Sequence, residues 1–120
     1  NVVALNNLAW TLGYDPVKIG DALRLIQDAI DRTGPLNDLL DTRARILFAA
    51  GRREEAFRDL TDAAVTAPSA TRYFYLAVMH RQAEQPAQAD AALQRARQFG
   101  LTAADVHPRD AQWYRELCAN

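Results

Sequence analysis

The chain has 120 residues, of which 49% are hydrophobic and 24% are charged, and its formal net charge is −1. This composition is typical of a folded soluble domain and excludes a disordered or collagen-like chain. The nearly balanced charge removes the broad cationic field of a nucleic-acid-binding protein. Cys118 is the only cysteine, so an internal disulfide is excluded, and no apolar run is long enough to span a membrane. We expect a soluble, cytoplasmic protein.

Glycine and proline residues divide the chain into segments of helical length, and apolar residues recur within each segment at intervals of three and four. The breaks fall, in chain order, at 13–16, 33–35, 51, 67–69, 84–86, 100 and 107–108. Ser69, Pro86 and Pro108 favour helix starts, whereas Gly51 and Gly100 favour helix ends. The pattern predicts six main helices and a C-terminal tail, with no strand.

The helical pattern repeats itself about every 34 residues, which is typical of a helical solenoid built from two-helix units. A small, a bulky and a second small residue recur in register in every second helix: Ala22, Ile26 and Ala29, then Ala56, Leu60 and Ala63, then Ala89, Leu93 and Ala96. The alanines allow close helix approach, and the larger residue fills the seam between the helices.

These residues resemble the tetratricopeptide repeat (TPR) family. The first helix of the first unit also matches that family, through Leu5, Leu8, Ala9 and Leu12. The resemblance implies an all-α fold, a right-handed α-α superhelix of three helix-turn-helix repeats with a C-terminal capping helix. It implies a single domain over 1–120, with repeats at about 2–35, 36–69 and 70–101 and a capping segment at 102–120. Arg43 departs from the family pattern, which prefers leucine there, and the opening of the first unit resembles bacterial repeats of this kind.

The two ends of the chain differ in pattern. Thr102 and Asp105 predict a capping box, and the segment 108–118 predicts a helix with Ala111, Tyr114, Leu117 and Cys118 on its packed face and Asp110, Arg115 and Glu116 outside. The first helix opens with apolar residues and no polar cap. We therefore expect the C-terminal part of a longer protein, with an intact small protein or a homodimer closing the N-terminal face as alternatives.

The sequence offers no constellation typical of catalysis. His80 and His107 are far apart and lack neighbours at metal-ligand spacing, so His80 is interpreted as a core residue and His107 as a helix-start residue. Cys118 has no base placed to activate it. The carboxylates Glu54, Glu55, Asp59 and Asp62 are interpreted as a solvated helix face. We expect a protein that is not an enzyme and has no cofactor or metal site.

The TPR resemblance implies a concave groove formed by the first helix of each repeat, and a protein or peptide partner that binds there. The groove residues carried over from the family register are Asn6, Trp10, Asp41, Arg45, Phe48, Phe74, Val78 and Arg81. Some members hold the C-terminal carboxylate of a peptide with a clamp of lysine, asparagine and arginine; that clamp is absent here, and Asp41 favours a mixed-charge or basic peptide. The function predicted is a non-catalytic scaffold. Two alternatives remain: a structural segment packed on upstream repeats or on itself, and a small-molecule sensor.

Overall fold

The computed structural model describes residues 2–119, and all regular structure in that range is helical. The α-helices are α1 (Val2–Leu12), α2 (Ile19–Thr33), α3 (Asn37–Ala49), α4 (Arg53–Thr66), α5 (Ala70–Gln82), α6 (Pro86–Gln98) and α7 (Ala111–Cys118). Short 3-10 helices span Pro16–Lys18, Ala103–Asp105 and Pro108–Asp110. Consecutive helices α1 and α2, α3 and α4, and α5 and α6 pack in pairs, so the predicted all-α helical-repeat fold is confirmed. No helix in the described range is long and apolar enough to cross a membrane.

The helix boundaries follow the capping chemistry of the sequence. The Ser69 hydroxyl accepts a hydrogen bond from the Arg72 N–H at 3.1 Å at the start of α5. Gly51 and Gly100 both have φ +82° after α3 and α6, a left-handed conformation that costs glycine little. Glu84 occupies the corresponding position after α5 and has φ +57°. The chain therefore makes the same turn in the third pair without the glycine.

The chain forms two compact units, which we call unit 1 (Asn1–Ala67) and unit 2 (Pro68–Asn120). In unit 1, α3 contacts both α1 and α2 in addition to its partner α4. The residues of the α1–α2 seam are small and fully buried alanines, namely Ala9, Ala22 and Ala29, around the buried Ile26. Small residues allow the helix axes to approach closely, which is the packing that the repeat pattern predicts.

Gly13 lies where the end of α1 closely approaches α3. A Cβ atom added at Gly13 would lie 2.8 Å from Cγ1 of Ile46, whose side chain is buried. We expect Gly13→Ala to lower the free energy of unfolding by about 1 to 3 kcal/mol, because the core must shift to admit the methyl group.

The control for Gly13→Ala is Gly20→Ala in α2, where the nearest atom to an added Cβ is an Arg24 nitrogen at 3.8 Å. This substitution is expected to leave stability unchanged or to raise it by up to about 1 kcal/mol, since alanine favours helix. Urea denaturation followed by circular dichroism measures both variants. Equal stabilities for the two variants would contradict the close approach at Gly13.

In unit 2, hydrogen bonds join the segment after α6 to α5. The Thr71 hydroxyl donates to the Asp105 carbonyl at 3.0 Å, and the Tyr75 hydroxyl donates to the Asp110 carboxylate at 2.6 Å and accepts from the His107 N–H at 3.3 Å. Asp110 is therefore a partner of the buried Tyr75, which corrects the expectation that Asp110 points away from the repeat. The capping box is present as predicted, with the Thr102 N–H donating to Asp105.

Candidate functional site

The eight predicted groove residues are divided between the two units. Asn6 and Trp10 lie on α1 and Asp41, Arg45 and Phe48 lie on α3, all in unit 1. We call these five residues the α1–α3 surface. The other three residues, Phe74, Val78 and Arg81, lie on α5 in unit 2. The geometry of each set is described within its own unit.

The centre of the α1–α3 surface is a contact between a tryptophan and an arginine. The Arg45 guanidinium carbon lies 5.6 Å from the centroid of the Trp10 ring, and the Arg45 Nε donates to Asp41 Oδ1 at 3.0 Å. Tyr14 packs edge-on against Trp10, with ring centroids 5.2 Å apart and the planes at 73°. The ion pair fixes the arginine, and the arginine in turn supports the aromatic ring through a cation–π contact. Three predicted residues from two helices therefore form one cluster.

The Asp41–Arg45 pair changes the electrostatics expected of this surface. Both side chains are only 14% exposed, so the charge of each is largely neutralised by the charge of the other. The pairing of Asp41 with Arg45 therefore argues against the mixed-charge or basic peptide that the sequence favours. The surface presents a neutral ion pair beside aromatic rings, which suits an apolar anchor more than a cationic one.

The remaining two residues of the α1–α3 surface are also partly enclosed. Asn6 Oδ1 is buried and, among the described residues, has no hydrogen-bond partner. Phe48 is half-buried, and the Arg53 guanidinium carbon lies 5.7 Å from its ring centroid. Aromatic side chains flanked by arginine, partly exposed and held in place, are the residue types that dominate binding energy in protein interfaces.

The α5 residues have a different environment, which corrects the expectation that all three are open to a partner. Phe74 is fully buried, with its ring centroid 5.2 Å from that of Tyr75 and 6.1 Å from that of Tyr114 on α7. Val78 is also buried, whereas Arg81 is exposed. The family register placed these side chains on the correct helix, but the burial of Phe74 and Val78 makes them core residues of unit 2.

Unit 1 contains a partly buried ion pair that the sequence analysis does not predict. Arg43 Nε donates to Asp59 Oδ2 at 2.6 Å and Arg43 Nη2 donates to Asp59 Oδ1 at 2.9 Å, while Arg43 Nη1 donates to Gln27 Oε1 at 3.0 Å. The hydrogen bonding to Asp59 raises the pKa of Arg43 above its ordinary value. One guanidinium thus joins α2, α3 and α4. Asp59 is buried, so its interpretation as part of a solvated face is wrong.

A second arginine–carboxylate pair lies nearby on the surface. Arg52 donates from Nε and Nη2 to the two oxygens of Glu55 at 2.8 and 2.7 Å, and this hydrogen bonding lowers the pKa of Glu55 below its usual 4.5. Both groups are exposed, so the pair orders the start of α4 and contributes little to stability.

His107 and Cys118 occupy the kinds of position that the sequence predicts, whereas His80 is only half-buried, so its interpretation as a core residue is wrong. His80 Nδ1 lies 2.8 Å from Gln85 Oε1, and His107 Nδ1 accepts from the Arg109 N–H at 3.1 Å in a helix-start arrangement. Cys118 is half-buried on α7. Within residues 2–119, no three histidine, cysteine, aspartate or glutamate side chains are grouped in a way that could hold a metal ion.

Comparison with known proteins identifies solved structures with a similar fold but does not assign the chain to a family. No protein-family model matches the chain, and no curated protein matches it. The solved structures that are similar to it include two of the Yersinia enterocolitica type III secretion chaperone SycD. One is described as the translocator chaperone in an alternative dimer (TM-score 0.75, 18% identity, 98% of this chain and 86% of that chain covered). The other is SycD in complex with a peptide of the translocator YopD (TM-score 0.74, 18% identity, 97% and 86% covered). At this identity the likeness shows that the chain shares the helical fold of SycD.

Proposed function

We propose that this protein is a non-catalytic protein-binding module that holds a peptide of a partner protein on its α1–α3 surface. The three helix pairs are the repeats at about 2–35, 36–69 and 70–101, of the TPR type, followed by a capping segment at 102–120. The observation that carries the proposal is the cluster of Trp10, Asp41 and Arg45, in which an ion pair supports a partly exposed tryptophan.

The cluster has the properties of a preorganised anchor site. Arg45 is held by both Asp41 and Trp10, so little side-chain freedom is lost when a partner packs against it. Phe48 adds a second half-buried aromatic ring on the same helix as Arg45. The partner that fits is a peptide with an apolar anchor residue and few net charges. The YopD peptide held by SycD is a precedent for peptide binding on a helical fold of this kind.

The proposal is tested with peptides selected from a random library displayed on phage. Trp10 and Trp113 are the two tryptophans, so the variant Trp113→Phe makes Trp10 the single fluorescent reporter. We expect selected peptides to shift or quench the emission of Trp10 in a saturable way, because the anchor residue changes the solvent exposure of the indole ring.

The matched variants remove two ion pairs of the same spacing. Asp41→Asn with Arg45→Gln removes the pair under Trp10 and leaves no uncompensated charge, whereas Asp28→Asn with Arg32→Gln removes an exposed pair on α2. We expect the first double variant to weaken the selected peptides at least about tenfold and the second to leave affinity unchanged. Failure to select any peptide, or equal binding by both variants with no change in Trp10 emission, would overturn the proposal.

A further inference from the structure

Unit 1 contains a cavity that the peptide-binding proposal does not use. It has a volume of about 620 Å³ and lies between α2, α3 and α4. Leu23 of α2 and Leu40 and Leu47 of α3 line it, and the two α3 leucines belong to the core. The other lining residues are mostly charged or polar, and the volume is in the range of small-molecule sites.

Most charged groups around this cavity are already paired. Arg43 is bound to Asp59 and Gln27, Arg52 is bound to Glu55, and Arg24 is paired with Asp21 outside the lining. These ion pairs form a polar wall whose charges are compensated within the protein. Such groups gain less from an incoming ligand, since the charge of each is already compensated by a partner.

Two charged lining residues, one positive and one negative, are not part of these ion pairs. Among the residues that the structure describes, Arg58 and Asp62 line the cavity and have neither an ion-pair nor a hydrogen-bond partner. They are four residues apart on α4, so they lie on the same face of the helix. The cavity therefore offers one cation and one anion, each without a direct ion-pair or hydrogen-bond partner among the described residues, beside its three leucines.

A ligand that matches the cation, the anion and the leucines of the cavity carries a negative group, a positive group and an apolar side chain. A simple carboxylate would pair with Arg58 but would lie near the like charge of Asp62, and a simple amine would have the opposite problem. A zwitterion pairs with both groups. We infer that the cavity between α2, α3 and α4 binds a small apolar zwitterion, of the class of the aliphatic amino acids, with its carboxylate on Arg58, its ammonium group on Asp62 and its side chain against the leucines.

The test uses three matched probes with the full chain. Leucine carries both charges, N-acetyl-leucine lacks the ammonium group and leucinamide lacks the carboxylate. Methyl NMR titration reports binding at Leu23, Leu40 and Leu47. We expect leucine to shift these methyl resonances with a Kd on the order of 1 mM, as suits so small a ligand, and each single-charge analogue to bind at least about fivefold more weakly.

Two substitutions at exposed residues assign the charges. Arg58→Gln is expected to abolish the advantage of leucine over leucinamide, and Asp62→Asn to abolish its advantage over N-acetyl-leucine. Arg32→Gln, another exposed arginine of unit 1, serves as the control and should leave all three affinities unchanged. Equal binding of the three probes, shifts at other methyl groups, or no binding of leucine at 10 mM, roughly ten times the expected Kd, would each overturn the inference. Phage-selected peptides report the α1–α3 surface separately, so the two proposals fail independently.

Discussion

Phe74→Ala is expected to lower the free energy of unfolding of unit 2 by about 3 to 5 kcal/mol, the usual cost of removing a fully buried phenylalanine from a core. The Phe74 ring is fully buried and lies between Tyr75 on its own helix and Tyr114 on α7. Removing it leaves a cavity at the contact between α5 and α7. Chemical denaturation monitored by circular dichroism and by Trp113 fluorescence measures the loss, because Trp113 lies on α7 next to Tyr114.

Phe99→Ala is the control in the same unit. Phe99 stacks on Tyr73 with ring centroids 5.8 Å apart, but it is 43% exposed, so its removal creates no enclosed cavity. We expect a loss of about 1 kcal/mol, clearly smaller than that of Phe74→Ala. A small loss at Phe74, comparable with that at Phe99, would show that the Phe74 ring is open to solvent and available to a partner.

The burial of Phe74 also decides which variants report on binding. Phe74→Glu places a carboxylate in the core of unit 2, so a loss of partner binding by that variant reports unfolding and carries no information about a surface. The double substitution at Asp41 and Arg45 avoids this, because it leaves no uncompensated charge. Binding experiments therefore belong on the α1–α3 surface.

The second large effect on stability is expected when either Arg43 or Asp59 is replaced alone. Arg43→Leu leaves the Asp59 carboxylate buried without its partner, and Asp59→Leu removes the two hydrogen bonds that the Arg43 guanidinium donates to Asp59. The side chains are 24% and 10% exposed, so we expect the low end of the usual range for such losses, about 2 to 3 kcal/mol for each single variant. Urea denaturation at neutral pH measures it.

The double variant Arg43→Leu with Asp59→Leu tests whether the loss in each single variant comes from the charge that is left without its partner. We expect it to recover stability to within about 1 kcal/mol of the wild type, because apolar groups of similar volume remove the desolvation cost along with the attraction. Removing both Arg52 and Glu55, a pair on the surface, is the control and should change stability little. Additive losses in the Arg43 and Asp59 double variant would contradict a coupled pair.

The pH dependence of the Arg43 contribution follows from the direction of its pKa shift. The hydrogen bonds that Arg43 donates to Asp59 raise the pKa of Arg43 in the folded state above its ordinary value. A group with a raised folded pKa contributes stability that is fully present below its unfolded pKa and is lost as the pH rises through the folded value. The Arg43 charge therefore contributes fully at neutral pH.

Local patterns in the sequence predict the helices well because the rules that set helix ends act over a few residues. Ser69, Gly51 and Gly100 each behave as the sequence indicates, since a cap needs only its own backbone neighbours. Glu84 shows the same turn without glycine, so there the fold imposes a conformation that local preference disfavours. The repeat register likewise places the small buried alanines correctly.

Contacts between distant residues are what the sequence alone does not supply. Asp59 is 16 residues from Arg43, and nothing near either residue indicates that the two side chains meet. The signal was the misfit of Arg43 itself, since a charge at a core position requires a buried partner. Phe74 was assigned to an open surface because the family register fixes the helix face but does not fix what covers it. On the α1–α3 surface, the register identified Trp10, Asp41 and Arg45, but their ion pair became visible only in three dimensions.

The ion pairs described above are formed by arginines, and arginine greatly outnumbers lysine in the whole chain. This difference has a practical consequence. Lys18 is the only lysine among the 14 basic residues, and it is exposed at the end of the 3-10 helix Pro16–Lys18. Amine-directed reagents can therefore attach a dye, a biotin or a surface tether to a side chain at this one turn, while the arginines that hold the α1–α3 surface and the leucine-lined cavity stay unmodified. A protein immobilised through Lys18 presents nearly every molecule in the same orientation.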